Sequence, residues 1–179
     1  MFRKILLCAL LALPVTGICQ KGKGTKKPTA IPVAATASVD YKVPGSPMPP
    51  LRIVTTSHKS ITEDAVKNKA NLVVMMFNPT CEHCEEMTMA MEKNIFLFKN
   101  TQIVLVAGAM MMEYLGDFQK RVKADQFPSM KIGVDSTQFI DKAFNYNGLP
   151  QVNIYDHDRK LIKSFSGITT IDSIKHYIE

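Results

Sequence analysis

The sequence predicts an α/β fold, a three-layer sandwich with a central mixed sheet and helices on both faces. Two observations carry this. Short apolar runs of strand length alternate with segments whose apolar residues recur at spacings of three and four, the pattern of a parallel sheet with right-handed crossovers. The last two runs, Gln151 to Tyr155 and Leu161 to Phe165, are joined by the polar turn Asp156-His157-Asp158-Arg159. They read as a hairpin that adds an antiparallel edge. With 179 residues, 46% hydrophobic and 21% charged, the chain suits one ordinary domain with its own core and is short for two.

Each element follows from its local pattern. Leu51 to Thr55 is a short β-prone run, and Ile61 to Lys69 reads as a brief helix or turn. Leu72 to Phe77 is continuously apolar between Asn71 and Asn78-Pro79. Too short for most helices, it reads as a strand buried on both faces. A helix is expected from about Cys81 to Phe98, with Cys84, Met87, Met91, Ile95 and Phe98 forming one buried stripe. A second buried strand follows at Gln102 to Ala107. Tyr114, Leu115, Phe118 and Val122 mark another amphipathic helix, and Met130 to Val134 is strand-like. Phe139, Ile140, Ala143 and Phe144 stripe a short helix, and Ile171, Ile174 and Ile178 line a closing one.

The net charge of +6 does not point to nucleic acid. From Leu51 onward 15 Lys+Arg face 15 Asp+Glu, so the excess lies in the first 50 residues and the folded part is neutral. Arg3 and Lys4 precede an apolar run from Ile5 to Val15, too short to span a bilayer and suited to the core of a secretory signal. Gly17 and Cys19, flanking Ile18, supply a cleavage site before Gln20. The expectation is an exported protein, periplasmic if the cell is Gram-negative. Residues 1–19 form its signal peptide, 20–50 a flexible Lys/Pro-rich tether or loosely docked arm, and 51–179 the domain. Acylation of a retained Cys19, giving a membrane tether, is the alternative; the bulky Ile18 before it argues against.

Export simplifies the cysteines. Of four, Cys8 leaves with the signal, as does Cys19 if cleavage follows it, and Cys81 and Cys84 remain in an oxidising compartment. The tetrapeptide Cys81-Glu82-His83-Cys84 follows a buried strand and opens a helix, so the two thiols lie one turn apart on one face, close enough for a disulfide. First-turn N–H groups and the helix dipole favour the thiolate of Cys81. His83 adds to this when protonated, whereas Glu82, Glu85 and Glu86 oppose it. Thiol–disulfide exchange needs such a thiolate. A zinc site would need four ligands, and His58, His157 and His176 are scattered, so no metal is assigned. A merely structural bridge would close too small a loop to stabilise much.

The apolar strand, short turn and Cys-x-x-Cys over Leu72 to Cys84 resemble the thioredoxin superfamily. Pro150, in Gly148-Leu149-Pro150-Gln151 before a strand, is similar to the cis-proline of that family. Asp135 to Gly167 is most similar to exported thiol–disulfide oxidoreductases of the TlpA/ResA type. The resemblance spans roughly Pro49 to Glu179. It implies a thioredoxin-like sandwich in which Cys81 attacks, Cys84 resolves the mixed disulfide, Glu82 and His83 tune the pair, and Leu149-Pro150 positions an extended substrate. It implies no cofactor beyond the redox pair. The expected partners are protein thiols or disulfides and a membrane or periplasmic redox partner, with the protein itself a monomer and no nucleic acid bound.

Two departures stand out. Thr80 occupies the usual aromatic position before the first cysteine, and Met75 stands where thioredoxins bury a carboxylate. Glu82 resembles the TlpA/ResA type while His83 resembles oxidants and isomerases, so the direction of electron flow is open. The methionines, Met87, Met89 and Met91 with Met110-Met111-Met112, suggest the competing expectation of a copper-binding or copper-delivery module, since thioethers and thiolates suit Cu(I). Against it, Met87 and Met91 lie on the apolar stripe, where core filling is the simpler reading.

Overall fold

A computed structural model describes residues 39–144 and 147–178; the expected signal peptide and most of the arm lie outside the described residues. In chain order the elements are β1 (Arg52–Val54), β2 (Ser60–Thr62), β3 (Asn71–Phe77), α1 (Glu82–Lys93), β4 (Thr101–Ala107), α2 (Met112–Arg121), β5 (Met130–Asp135), α3 (Phe139–Phe144), β6 (Gln151–Tyr155), β7 (Leu161–Ser166) and α4 (Ile171–Lys175). The strands form one mixed sheet in the order β2-β1-β5-β4-β3-β6-β7. β3, β4 and β5 are parallel, and antiparallel strands flank them on both sides.

The strand order explains the layers. Both crossovers, β3 to β4 and β4 to β5, step the same way, so right-handed connections set α1 and α2 on one face. The return from β5 to β6 carries α3 to the other. The core divides accordingly. Val73, Met75 and Phe77 of β3 join Cys84, Met91, Leu115, Phe118 and Ile174 on the α1 face. Leu72, Val74 and Met76 join Ile140, Phe144 and Tyr155 on the α3 face. β3 is therefore a strand buried on both sides, as its continuous apolar run requires.

Four local expectations change. Ser60–Thr62 is a strand rather than part of a helix, because Ile61 pairs with Ile53; only Glu63–Val66 forms a 3-10 turn. The helix expected to reach Phe98 ends at Lys93. Asn94 caps it, its Nδ2 donating to the Ala90 carbonyl at 2.9 Å, and a 3-10 turn over Ile95–Phe98 returns the chain to β4. Tyr114 is exposed while Leu115 and Phe118 carry the buried face of α2. Ile178 lies beyond α4, though still in the core.

Two contacts toward the ends of the sheet have no local sequence signal. The end of the arm is docked: Gly45 N donates to the Leu161 carbonyl (2.7 Å), Leu161 N to that of Ser46 (2.8 Å), and Met48 N to that of Arg159 (2.8 Å). Arg159, with φ 60°, also donates to the carbonyls of Val66 and Ala70 and so pins the loop before β3. At the other side Gly133 lets β1 approach β5. A Cβ there would sit 2.7 Å from the Val54 carbonyl oxygen, closer than a side chain tolerates.

Candidate active site

The C-terminal end of β3 leads straight into the Cys81–Cys84 turn. The Asn78 side chain accepts from the Thr80 N–H and hydroxyl, both at 2.9 Å, and its carbonyl accepts from Cys81 N at 3.0 Å. This Asx turn brings Cys81 to the N-cap of α1 in extended conformation (φ −91°, ψ 118°). The Cys81 Sγ then accepts the Cys84 N–H at 3.4 Å, an end-of-helix donor that also favours a thiolate.

The two sulfurs differ sharply in environment. Cys81 is partly exposed and Cys84 is completely buried; both are free thiols. Burial, reinforced by the hydrogen bond to Cys81, pushes the Cys84 thiol up to about 12. The buried thiol thus holds its proton while the accessible sulfur is served by a backbone donor and the helix dipole. Such a pair suits attack by Cys81 followed by resolution by Cys84.

Glu82 and His83 lie on the solvent side of the first turn. His83 is occupied by its own helix, with Nδ1 3.1 Å from Glu86 Oε2. The Leu149–Pro150 peptide is cis, as expected. Pro150 is buried, and its carbonyl accepts from Gly167 N at 2.9 Å. Gly167 has φ 78°, where glycine is at home. A cleft of about 270 Å³ lined by His83, Met87, Ala90, Pro150 and Ile168 joins the motif helix to the proline, so residues far apart in sequence share one surface.

Met75 is fully buried between Leu105 and Val152 on neighbouring strands, so its strand position supplies no carboxylate to the pair. α1 does bury a carboxylate of its own. Glu92 is 6% exposed, burial pushes it up to about 7, and its Oε1 has no partner among the described residues. Eight residues past Cys84, it lies about 12 Å along the helix, beyond direct proton exchange. Met87 and Met91 are core residues, whereas Met89 and Met110 are exposed. Among the described residues no group of three or more His, Cys, Asp or Glu is placed to hold a metal ion.

Sequence reasoning missed Arg121. The last residue of α2, it donates from Nε to Glu85 Oε2 and from Nη2 to the Pro79 carbonyl, both at 2.7 Å. It comes from 36 residues beyond Glu85, so no local pattern reveals it.

No protein-family model matches the chain, and no curated protein does. Solved structures match clearly. The chain is similar to the thioredoxin domain of a thiol-disulfide oxidoreductase from Bacteroides vulgatus (TM-score 0.63, 16% identity, covering 76% of this chain and 99% of that one). It is also similar to a thiol:disulfide interchange protein of the thioredoxin family from Chlorobium tepidum (TM-score 0.60, 16% identity, 76% and 94%). StoA from Bacillus subtilis gives a TM-score of 0.57 at 16% identity, over 76% of this chain and all of that one. The chain has the thioredoxin fold.

Proposed function

We propose that this chain is an exported thiol–disulfide oxidoreductase of the TlpA/ResA kind, acting on protein thiols or disulfides through Cys81 and Cys84. The observation that carries the reading is the asymmetry of the pair at a helix N-terminus: an accessible sulfur receiving the Cys84 N–H, and a buried thiol held protonated. The thioredoxin-fold neighbours bearing oxidoreductase names support it. The cis Leu149–Pro150 edge would hold the partner chain in extended form. Export through residues 1–19, with 20–50 as a connecting arm and 51–179 as the functional domain, belongs to the same proposal; no described helix is long and apolar enough to cross a membrane.

The reaction balances within the pair. The Cys81 thiolate attacks one sulfur of a substrate disulfide, forming a mixed disulfide and expelling the other sulfur as a thiolate that takes a proton. Cys84 then loses its proton and attacks the Cys81 sulfur, releasing the second substrate thiol and leaving the Cys81–Cys84 disulfide. Two electrons and two protons pass to the substrate, and a dithiol partner restores the pair. Run backwards, the same steps oxidise a substrate. No cofactor is needed. With Met75 in place of a buried acid, the proton of Cys84 passes to the departing substrate thiolate or to water.

Equilibration of the mature domain with glutathione tests this. The expected outcome is a reversible Cys81–Cys84 disulfide. A potential near about −270 mV makes the protein a reductant, and one near about −120 to −180 mV an oxidant or isomerase. Failure to form the disulfide overturns the reading.

A further inference from the structure

The first turn of α1 poses an electrostatic problem. A helix N-terminus favours the Cys81 thiolate, yet two carboxylates in the same turn, Glu82 and Glu85, with Glu86 just beyond it, disfavour it. They are not equivalent. Glu82 and Glu86 are exposed and screened by water, and Glu86 meets His83. Glu85 lies in the first turn directly after Cys81, its N–H donating to the Cys81 carbonyl at 3.1 Å, and its side chain is only 25% exposed. It is the least screened of the three, hence the most adverse when left alone.

Glu85 is also the carboxylate that another element answers. Arg121 reaches from the end of α2 with two separate N–H groups, one on Glu85 Oε2 and one on the carbonyl of Pro79, both at 2.7 Å. The second contact matters as much as the first. Pro79 lies two residues before Cys81, inside the Asx turn that sets the nucleophile at the N-cap. One planar guanidinium thus spans the loop before the nucleophile and the turn after it. A fork of this shape can do so where an ammonium cannot. An exposed ion pair would add little to stability, so the interest of this one lies in where it sits.

We propose that Arg121 is a positioning residue for the redox pair: by neutralising Glu85 and anchoring the Pro79 carbonyl, it keeps the first turn of α1 hospitable to the Cys81 thiolate and so sets the redox poise of the Cys81–Cys84 couple. The inference rests on the reading of that couple as a redox centre. Removing Arg121 leaves Glu85 unopposed beside Cys81. The reduced form, which carries the thiolate, loses stability relative to the disulfide.

The test uses the mature protein and two readouts, the alkylation rate of Cys81 by iodoacetamide at pH 7 and the equilibrium constant for oxidation by glutathione disulfide. In Arg121→Gln the alkylation rate should fall and the oxidation constant rise, each about three- to fivefold, the size of one added charge at this range in a wet environment. Glu85→Gln should move both the other way. The double variant Glu85→Gln/Arg121→Gln should return to within about twofold of the parent, and Arg121→Lys should lie nearer the parent than Arg121→Gln does. Thermal unfolding of each variant identifies any loss of fold, and Glu85→Gln, which removes no anchor of the Pro79 loop, keeps the charge argument testable if Arg121→Gln is unstable. Unchanged alkylation in both single variants, or a double variant that fails to recover, overturns the proposal. If the parent forms no disulfide with glutathione, the oxidoreductase reading fails instead, while the alkylation series still decides the role of Arg121.

Discussion

The first and third turns of α1 each bury an ionisable side chain, with opposite consequences. Cys84 has a partner: its thiol bonds to Cys81, and burial with that bond pushes it up to about 12. It therefore stays neutral through the physiological range. Glu92 Oε1 has none among the described residues, and burial alone pushes the carboxyl up to about 7. Desolvation acts upward on both groups. For the thiol the shift carries it further from neutrality, which in the proposed reaction leaves Cys81 the readier of the two sulfurs to attack. For the carboxyl the shift carries it into the physiological range, where ionising a buried group costs stability. What burial does to an acid depends on where it starts and on what it meets inside.

The largest effect that sharpens this contrast is catalytic. Cys81→Ser should abolish turnover of a disulfide substrate, and Cys84→Ser should accumulate mixed disulfides on Cys81, visible as adducts by mass spectrometry. Glu92→Gln should turn over like the parent. Loss of turnover in that variant would break the comparison, because it would give the third turn a part in the chemistry.

A stability effect comes next. The Glu92 carboxyl sits at 4.5 when unperturbed and at about 7 when folded, so it is neutral in both states below the first value and ionised in both above the second. Its folded-state preference for the proton is fully expressed at low pH and is lost as pH rises from 4.5 through 7, by about 1–2 kcal/mol across that window once solvent screening is allowed for. Urea titrations at pH 4.5 and pH 8 should show Glu92→Gln gaining about 1–2 kcal/mol on the parent at the higher pH, with its own profile flatter. Equal curves for the two proteins would mean that the carboxyl is solvated after all.

The smallest effect lies between the two turns. Thr88 is fully buried and donates from Oγ1 to the Cys84 carbonyl at 2.8 Å. Thr88→Val keeps the shape and removes that bond, leaving the carbonyl its helical partner. A loss of about 1 kcal/mol in chemical denaturation is expected, with the glutathione equilibrium unchanged within about twofold. A larger redox change would show that the Cys84 backbone itself is held in tension by this bond.

Most of the fold and the central pair of the site were legible because they are local. An unbroken apolar run between Asn71 and Pro79 is a buried strand in almost any context, and a Cys-x-x-Cys at its end falls on a helix N-terminus. Ile61 carries no such signal, because three residues hold too little periodicity to reveal a pairing with Ile53 that only the sheet supplies. The helix was overextended past Asn94 for the converse reason. Phe98 continues the apolar stripe, but a 3-10 turn brings it to the core and the local pattern registers only the burial.

The sequence by itself determined the alternation of strands and helices, the placement of Cys81 and Cys84 one turn apart, and the candidate proline, since each depends on residues within a few positions of one another. Only the tertiary structure decided the strand order, the docking of residues 45–48 against Arg159 and the start of β7, the burial of Glu92, and the meeting of Arg121 with Glu85 and Pro79. Those contacts join residues tens of positions apart. Their energies depend on water excluded by the whole assembled core, a quantity that no stretch of the chain carries alone.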